Sequence, residues 1–193
     1  MENIVTLNLY LFMELCMENL YDWFKRNSNK SALDSYGYSK RTKMIRQILE
    51  GVKYIHSNKI IHRHLKPTNI LIDFNGVCKI ADFGLSKFHE HVTLSHTLGK
   101  GISLYAAPEQ LEKRKYNSKV DIYSLGLIIM QFFVNFTTEE SLIDAIKLLR
   151  EEHKLPQPFG DIRCNSLFVE KRMILSMTEL NPELRPTIEQ VNE

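Results

Sequence analysis

Apolar residues recur at helical spacing through most of the chain and cluster at strand spacing only in its first half. Val5 to Glu14 is rich in β-branched and aromatic residues and predicts a strand. Leu20, Trp23 and Phe24 sit at i, i+3 and i+4 and predict a short helix. Met44, Ile45, Ile48, Leu49, Val52 and Ile55 form one stripe, which predicts a longer amphipathic helix with Ser39 as its N-cap. Between Ile60 and Ile80, short apolar runs are broken by Pro67 and by Asp73-Phe74-Asn75-Gly76. The Asn75-Gly76 pair between Ile70-Leu71-Ile72 and Val77-Cys78-Lys79-Ile80 predicts a hairpin. Asn27 to Ser39 and, at greater length, Gly84 to Tyr105 carry little periodicity and predict loops.

The last third reads as helical. Ser118 and Asp121 have capping-box spacing ahead of the apolar run Ile122 to Phe136. Thr137 and Glu140 have the same spacing ahead of a helix that turns Leu142, Ile143, Ile146 and Leu149 inward. Further helices run through Phe168, Met173 and Ile174, and from Thr187 and Gln190. A few strands followed by many helices predict an α+β fold with helices dominant.

Composition narrows the function classes. At 193 residues the chain is one domain's worth of sequence, and 44% hydrophobic with 25% charged residues is ordinary globular usage. Lys plus Arg is 25 and Asp plus Glu is 23, so the formal net charge is +2. That gives no electrostatic argument for a nucleic-acid or membrane partner. The run Ile122 to Phe136 contains Ser124, Gln131 and Asn135 and falls short of the ~20 apolar residues of a membrane span, so a buried core helix is expected. The apolar N-terminal stretch, interrupted by Glu2, Asn3, Asn8 and Glu14, makes a poor signal peptide. Cys16, Cys78 and Cys164 include no CxxC pair, which argues against a disulfide framework or zinc site and for a reducing compartment.

Three motifs carry the chemistry. His62-Arg63-His64-Leu65-Lys66-Pro67-Thr68-Asn69 is followed by Asp82-Phe83-Gly84 and then by Ala107-Pro108-Glu109. In that order they resemble the catalytic loop, the magnesium-binding turn and the A-P-E segment of eukaryotic protein kinases. The resemblance covers nearly the whole chain but only the C-terminal lobe of that fold. It implies residues 1–14 as a remnant of the small lobe, 14–18 as the hinge and 19–193 as the helical lobe. Phe12-Met13-Glu14-Leu15-Cys16, Leu20-Tyr21-Asp22-Trp23, Leu104 to Leu111 and Asp121-Ile122-Tyr123-Ser124-Leu125-Gly126 resemble the kinases of translation initiation factor 2 alpha, in particular their haem-regulated branch.

By that resemblance, Asp82 and Asn69 would supply oxygens to magnesium, and Lys66 a charge beside the transferring phosphoryl group. Glu14 and Cys16 would face an adenine edge through their backbone, with Met13 beside the pocket. Side-chain packing is the plainer role for Met13 and Cys16. His62 would be a packing residue, and Arg63 and Asp121 structural residues; Arg63 could also receive a phosphate on Thr97, which reads equally as an exposed loop threonine. Glu109 and Arg185 would form a buried ion pair. His89, His91 and His96 read as solvated loop histidines. The helix after Thr137 corresponds to the one that docks the initiation factor in the family.

The pattern is broken in two places and is incomplete in front. His64 stands where the family has its catalytic Asp, and losing a positioned base costs roughly 10²–10⁴-fold in rate. Ile102 stands where serine/threonine kinases carry a Thr that bonds this set. Before Phe12 there is neither a glycine-rich loop nor a VAIK-like lysine. The expectation is a catalytically impaired lobe that needs no cofactor and binds ATP and magnesium weakly at most. Its expected partner is a host kinase of initiation factor 2 alpha, held as a heterodimer in the cytoplasm, or else the factor itself. The truncated kinase homologues of insect baculoviruses, which inhibit host kinases of this family, look similar. The alternatives are a kinase active only with a small lobe supplied in trans, and a fragment of a longer kinase.

Overall fold

The computed structural model describes residues 10, 12–28, 35–88, 104–157 and 167–191. The elements run β1 Glu18–Asn19, α1 Leu20–Asn27, α2 Ser35–Ser57, β2 Ile60–Ile61, β3 Ile70–Ile72, β4 Cys78–Ile80 and β5 Lys87–Phe88. They continue α3 Pro108–Leu111, α4 Lys119–Phe133, α5 Glu139–Glu152, α6 Phe168–Met177 and α7 Ile188–Val191. The fold is α+β and mainly helical, with its few strands gathered at one place.

Helix α4 is the centre of the core. Every residue from Val120 to Phe133 is buried, as expected of a helix apolar on all sides. The side chains of Asp121, Ser124 and Gln131 are bonded, while the Tyr123 hydroxyl is enclosed without a hydrogen-bond partner. Ser124 Oγ donates to Tyr105 O at 2.8 Å, and Gln131 Nε2 donates to Leu127 O at 3.1 Å. Gly126 lets α6 approach closely: a Cβ there would lie 2.6 Å from Thr178 Cγ2 and 3.1 Å from Met177 Cβ. Helix α2 buries Met44, Ile45, Ile48, Leu49, Val52 and Ile55 along one side.

The strands form two small sheets. β3 and β4 pair antiparallel with Ile70 opposite Ile80 and Ile72 opposite Cys78, around the Asn75-Gly76 turn. Gly76 takes the left-handed φ of 75° that this turn requires. β1 adds to the outer side of β3, and β2 pairs with β5. The stretch from Gly84 onward is therefore not loop from its start. A 3-10 turn at Phe83–Leu85 and strand β5 come first, because Ile60–Ile61 offers an open strand partner that the local sequence does not reveal.

Several local readings are corrected. Tyr10 and residues 12–14 form no strand, since no neighbouring strand among the described residues supplies their hydrogen bonds; Val5 to Leu9 and Leu11 lie outside the described residues. Helix α2 starts at Ser35, so Ser39 is inside it and not its cap. Tyr38 extends the helix by bonding Glu170 and packing on Phe133. Ser118 makes no capping bond, and Lys119 N–H is taken by Asn117 Oδ1 at 2.9 Å. Thr138, not Thr137, caps α5 by accepting from Ser141 N–H. Thr187 and Gln190 bond each other's backbone N–H reciprocally at the start of α7.

At the bottom of the lobe, Arg185 is fully enclosed. Its guanidinium bonds Glu109 twice, at 2.6 and 2.9 Å, donates to Glu179 O at 2.7 Å and stacks 4.8 Å from the Tyr123 ring centroid. Arg185→Ala strands the Glu109 carboxylate in the core and is expected to cost ~3–5 kcal/mol in urea unfolding; a loss within ~1 kcal/mol would contradict a buried pair. Gly126→Ala is expected to lower stability by ~1–3 kcal/mol despite its better helix propensity, because Thr178 and the α6 backbone must move. An unchanged melting temperature would show that α4 and α6 separate freely.

Candidate active site

The site is built on one buried carboxylate. Asp121, in the first turn of α4, accepts the backbone N–H of His62 and of Arg63, both at 2.8 Å. His56 Nε2 lies 2.9 Å from the same side chain. Those bonds curl the chain after β2 and hold Arg63 at a positive φ of 67°. The strain of a non-glycine residue there is offset by charge-assisted bonds in a dry place.

His62 joins the two motifs. Its Nε2 lies 2.9 Å from Ala81 O, and its ring meets Phe83 edge-on at 5.1 Å. Arg63 Nε donates to Leu85 O and Nη1 donates to Tyr116 OH at 3.1 Å, so the guanidinium fastens the Phe83–Leu85 turn. Gln110 Nε2 donates to Arg63 O at 3.2 Å, which ties the Ala107-Pro108-Glu109 segment to the same loop. The three sequence motifs thus converge on a few residues.

At the working end, His64, Asn69 and Asp82 come together. Asn69 Nδ2 donates to His64 O at 2.9 Å and to Asp82 Oδ2 at 3.1 Å. His64 Nδ1 lies 3.5 Å from Asp82 Oδ2 and 3.4 Å from Asn69 Nδ2. Asp82 sits in the left-handed region, φ 65° and ψ 69°, and is half exposed, whereas the His64 side chain is 12% exposed. His64 Nε2 is enclosed and has no hydrogen-bond partner. Desolvation first, and the nearby Lys66 charge second, hold the His64 imidazole below its ordinary 6.5. Neither ring nitrogen therefore presents a free lone pair to the open cleft.

Lys66 lines a groove of about 740 Å³ with Tyr21, Phe24, Leu104, Tyr105 and Phe136. Just before β1, Met17 N–H donates to Ile72 O at 2.8 Å. Glu14 pairs with Lys79 of β4, which also reaches Asp73 at 3.3 Å. Met13 is exposed and so does not pack in the core, which corrects its plainer reading; Cys16 is half-buried. Cys16 and Cys78 are free thiols, and burial pushes the Cys78 thiol up to about 12.

Thr97, Ile102, His89, His91, His96 and Cys164 lie outside the described residues. His56 and Gln110 are the functional supports that sequence reasoning missed; each sits in an unremarkable helical register, and only the meeting of distant segments reveals it. Among the described residues, no three or more His, Cys, Asp or Glu side chains gather as a metal centre, and no helix is long and apolar enough to cross a membrane.

The chain belongs to the protein kinase domain family, which matches residues 4–193. It is 34% identical to eukaryotic translation initiation factor 2-alpha kinase 1 of Rattus norvegicus over 94% of its own length and 32% of that protein's. It is 32% identical to the eIF-2-alpha kinase GCN2 of Schizosaccharomyces pombe, over 100% of the chain and 13% of that kinase. It is 34% identical to the interferon-induced, double-stranded RNA-activated protein kinase of Mus musculus, over 95% of the chain and 34% of that kinase. The chain thus spans about a third or less of the length of these relatives.

Magnesium is the cation that this family implies. Asp82 offers it a half-exposed carboxylate. The rest of the set does not fit: the Asn69 carboxamide turns its NH2 toward Asp82, an orientation fixed by His64 O, and the next donor is an imidazole nitrogen. Magnesium takes oxygen ligands.

The lowered His64 pKa has a consequence for stability. The unfolded chain binds this proton more tightly than the folded one, so the stabilisation is fully present above pH 6.5. It is lost as pH falls below that value toward the depressed folded pKa. His64→Leu is expected to flatten this part of the stability-versus-pH curve, measured by urea unfolding. Identical curves for the two proteins would mean that His64 is not desolvated.

Proposed function

We propose that the chain is a catalytically impaired kinase lobe that acts by binding: it pairs with a kinase of translation initiation factor 2 alpha and lowers that kinase's activity. One observation carries the reading. His64 replaces the proton-accepting carboxylate, while the scaffold that would position it, Asp121 with His62 and Arg63, is kept intact. A fold maintained around a disabled position points to a use other than phosphoryl transfer. Nε2 is closed off and Nδ1 faces Asp82 and Asn69, so a substrate hydroxyl finds no base within reach.

Similarity to three kinases of this group supports the choice of partner. Exposed Tyr10, Phe12, Met13, Leu15 and Met17 support a contact through the hinge segment, where a small kinase lobe would sit. The setting is then the cytoplasm, and the effect is sustained translation. A second reading, a kinase completed by a small lobe from another chain, is favoured by the retained Asp82, Asn69 and Lys66.

The test is reconstitution with the purified kinase domain of an initiation factor 2 alpha kinase and radiolabelled ATP. The chain alone is expected to transfer no phosphate, and added in excess it is expected to reduce phosphorylation of the factor while co-eluting with the kinase. Placing Lys at Phe12 and Leu15 is expected to abolish both co-elution and inhibition. Phosphorylation of the factor that rises on mixing, and rises further with His64→Asp, would establish the second reading. Inhibition without co-elution, with the factor itself retained on the chain, would point to substrate capture through α5.

A further inference from the structure

We propose that the groove between α1, the Lys66-Pro67-Thr68 turn and the start of α5 binds a small amphipathic anion: an aromatic body carrying a carboxylate, sulfonate or phosphate group. The inference does not rest on the inhibitory role. The groove shares Lys66 with the loop that carries His64, and neither Phe12 nor Leu15 lines it.

Size and lining fit such a ligand. At about 740 Å³ the groove lies inside the roughly 300–1,000 Å³ of small-molecule pockets, and separate segments of the chain converge to form it. Tyr21 and Phe24 come from α1, Tyr105 from the stretch before α3, and Phe136 from the link between α4 and α5. Four aromatic rings around one concavity suit a flat apolar body. Tyr21 is exposed, so its ring still stands in water and gains by being covered.

The charge of the lining sets the sign of the ligand. Three cations, Lys25, Arg41 and Lys66, stand on it against one carboxylate, Glu139, a net of +2. That equals the formal net charge of the whole 193-residue chain, so the excess positive charge is concentrated here. Among the described residues, the ammonium groups of Lys25 and Lys66 have no carboxylate partner. Glu139 is exposed and sits in the first turn of α5, where the helix dipole offsets its charge. The buried polar groups of the lining add no negative charge. Gln131 is a neutral amide whose Oε1 accepts from Tyr105 OH at 3.2 Å and whose Nε2 donates to Leu127 O at 3.1 Å. Burial above all pushes the Tyr105 phenol over its ordinary 10, so it stays protonated. A cationic ligand would meet like charge, and an uncharged one would leave both ammonium groups unused.

The probe is 8-anilinonaphthalene-1-sulfonate, an aromatic anion, titrated into the full chain and followed by calorimetry and fluorescence. Saturable binding is expected, weakening as sodium chloride is raised. N-phenyl-1-naphthylamine, the same rings without the sulfonate, is expected to bind at least about tenfold more weakly, because a charge-assisted hydrogen bond is worth that factor or more. Sodium sulfate at equal concentration should not displace the probe, since it lacks the apolar body. Lys66→Ala and Lys25→Glu should each weaken the probe, and together by at least about tenfold. Tyr21→Ala should weaken it through the rings. Phe12→Lys with Leu15→Lys should leave it unchanged, which separates this result from the fate of the kinase pairing. Equal affinity for the charged and uncharged rings would overturn the proposal. So would an unchanged affinity when Lys25→Glu and Lys66→Ala are combined in a chain still folded by circular dichroism. Binding lost in the Phe12 and Leu15 variant alone would place the probe elsewhere and overturn it as well. An acidic peptide of aspartates and glutamates around a phenylalanine, binding more tightly than the probe and displacing it, would assign the groove to a protein partner instead.

Discussion

The buried Asp121 carboxylate holds together everything that resembles a catalytic apparatus in this lobe. Taking it out of water is costly, and the cost is met by two backbone N–H groups and an imidazole that converge on it from β2, the following loop and the end of α2. Each charge-assisted bond of this kind contributes about 1.5–3 kcal/mol. Because the donors are main-chain groups of His62 and Arg63, the carboxylate sets the path of the chain itself. His64, one residue on, inherits its position from that path.

From there the constraint spreads outward. His62 transmits the loop's position to Ala81 and Phe83, and Arg63 transmits it to Leu85 and Tyr116. Gln110 closes the circuit through Arg63 O. Helix α4 can carry Asp121 only because its other faces are packed by α2 and α6, with Gly126 admitting the α6 end. The Arg185–Glu109 pair then locks the Ala107-Pro108-Glu109 segment to the lower part of the same core. Scaffold and cleft are therefore one mechanical unit, and a change at the single position 64 alters chemistry without disturbing the frame.

That separation explains how a kinase fold acquires a different cleft. A carboxylate at position 64 would present oxygens toward the cleft, whereas the imidazole places one nitrogen against Asp82 and buries the other. The groove lined by Lys66, Tyr21 and Tyr105 is present, as is the segment before β1 tied down by Met17 and Glu14.

Much of this was legible in the residues alone. The helical stripe of Met44 to Ile55, the Asn75-Gly76 hairpin and the apolar run of α4 follow from periodicity and turn chemistry, which are local. The order of the three motifs identified the kinase lobe, and the odd residue at 64 stood out against it. Other features were decided only when distant segments met. Ser118 and Asp121 have the spacing of a cap, yet Asp121 is taken by residues some sixty positions away, a competition that no local window contains. Ser39 looked like a helix start until Tyr38 found Glu170, and Lys87–Phe88 became a strand because Ile60–Ile61 lay alongside. Residue types at fixed spacing determined the class of fold and the identity of the altered position. The distance between His64 and Asp82, the closure of Nε2 and the recruitment of His56 are properties of packing, and they exist only once the chain has closed on itself.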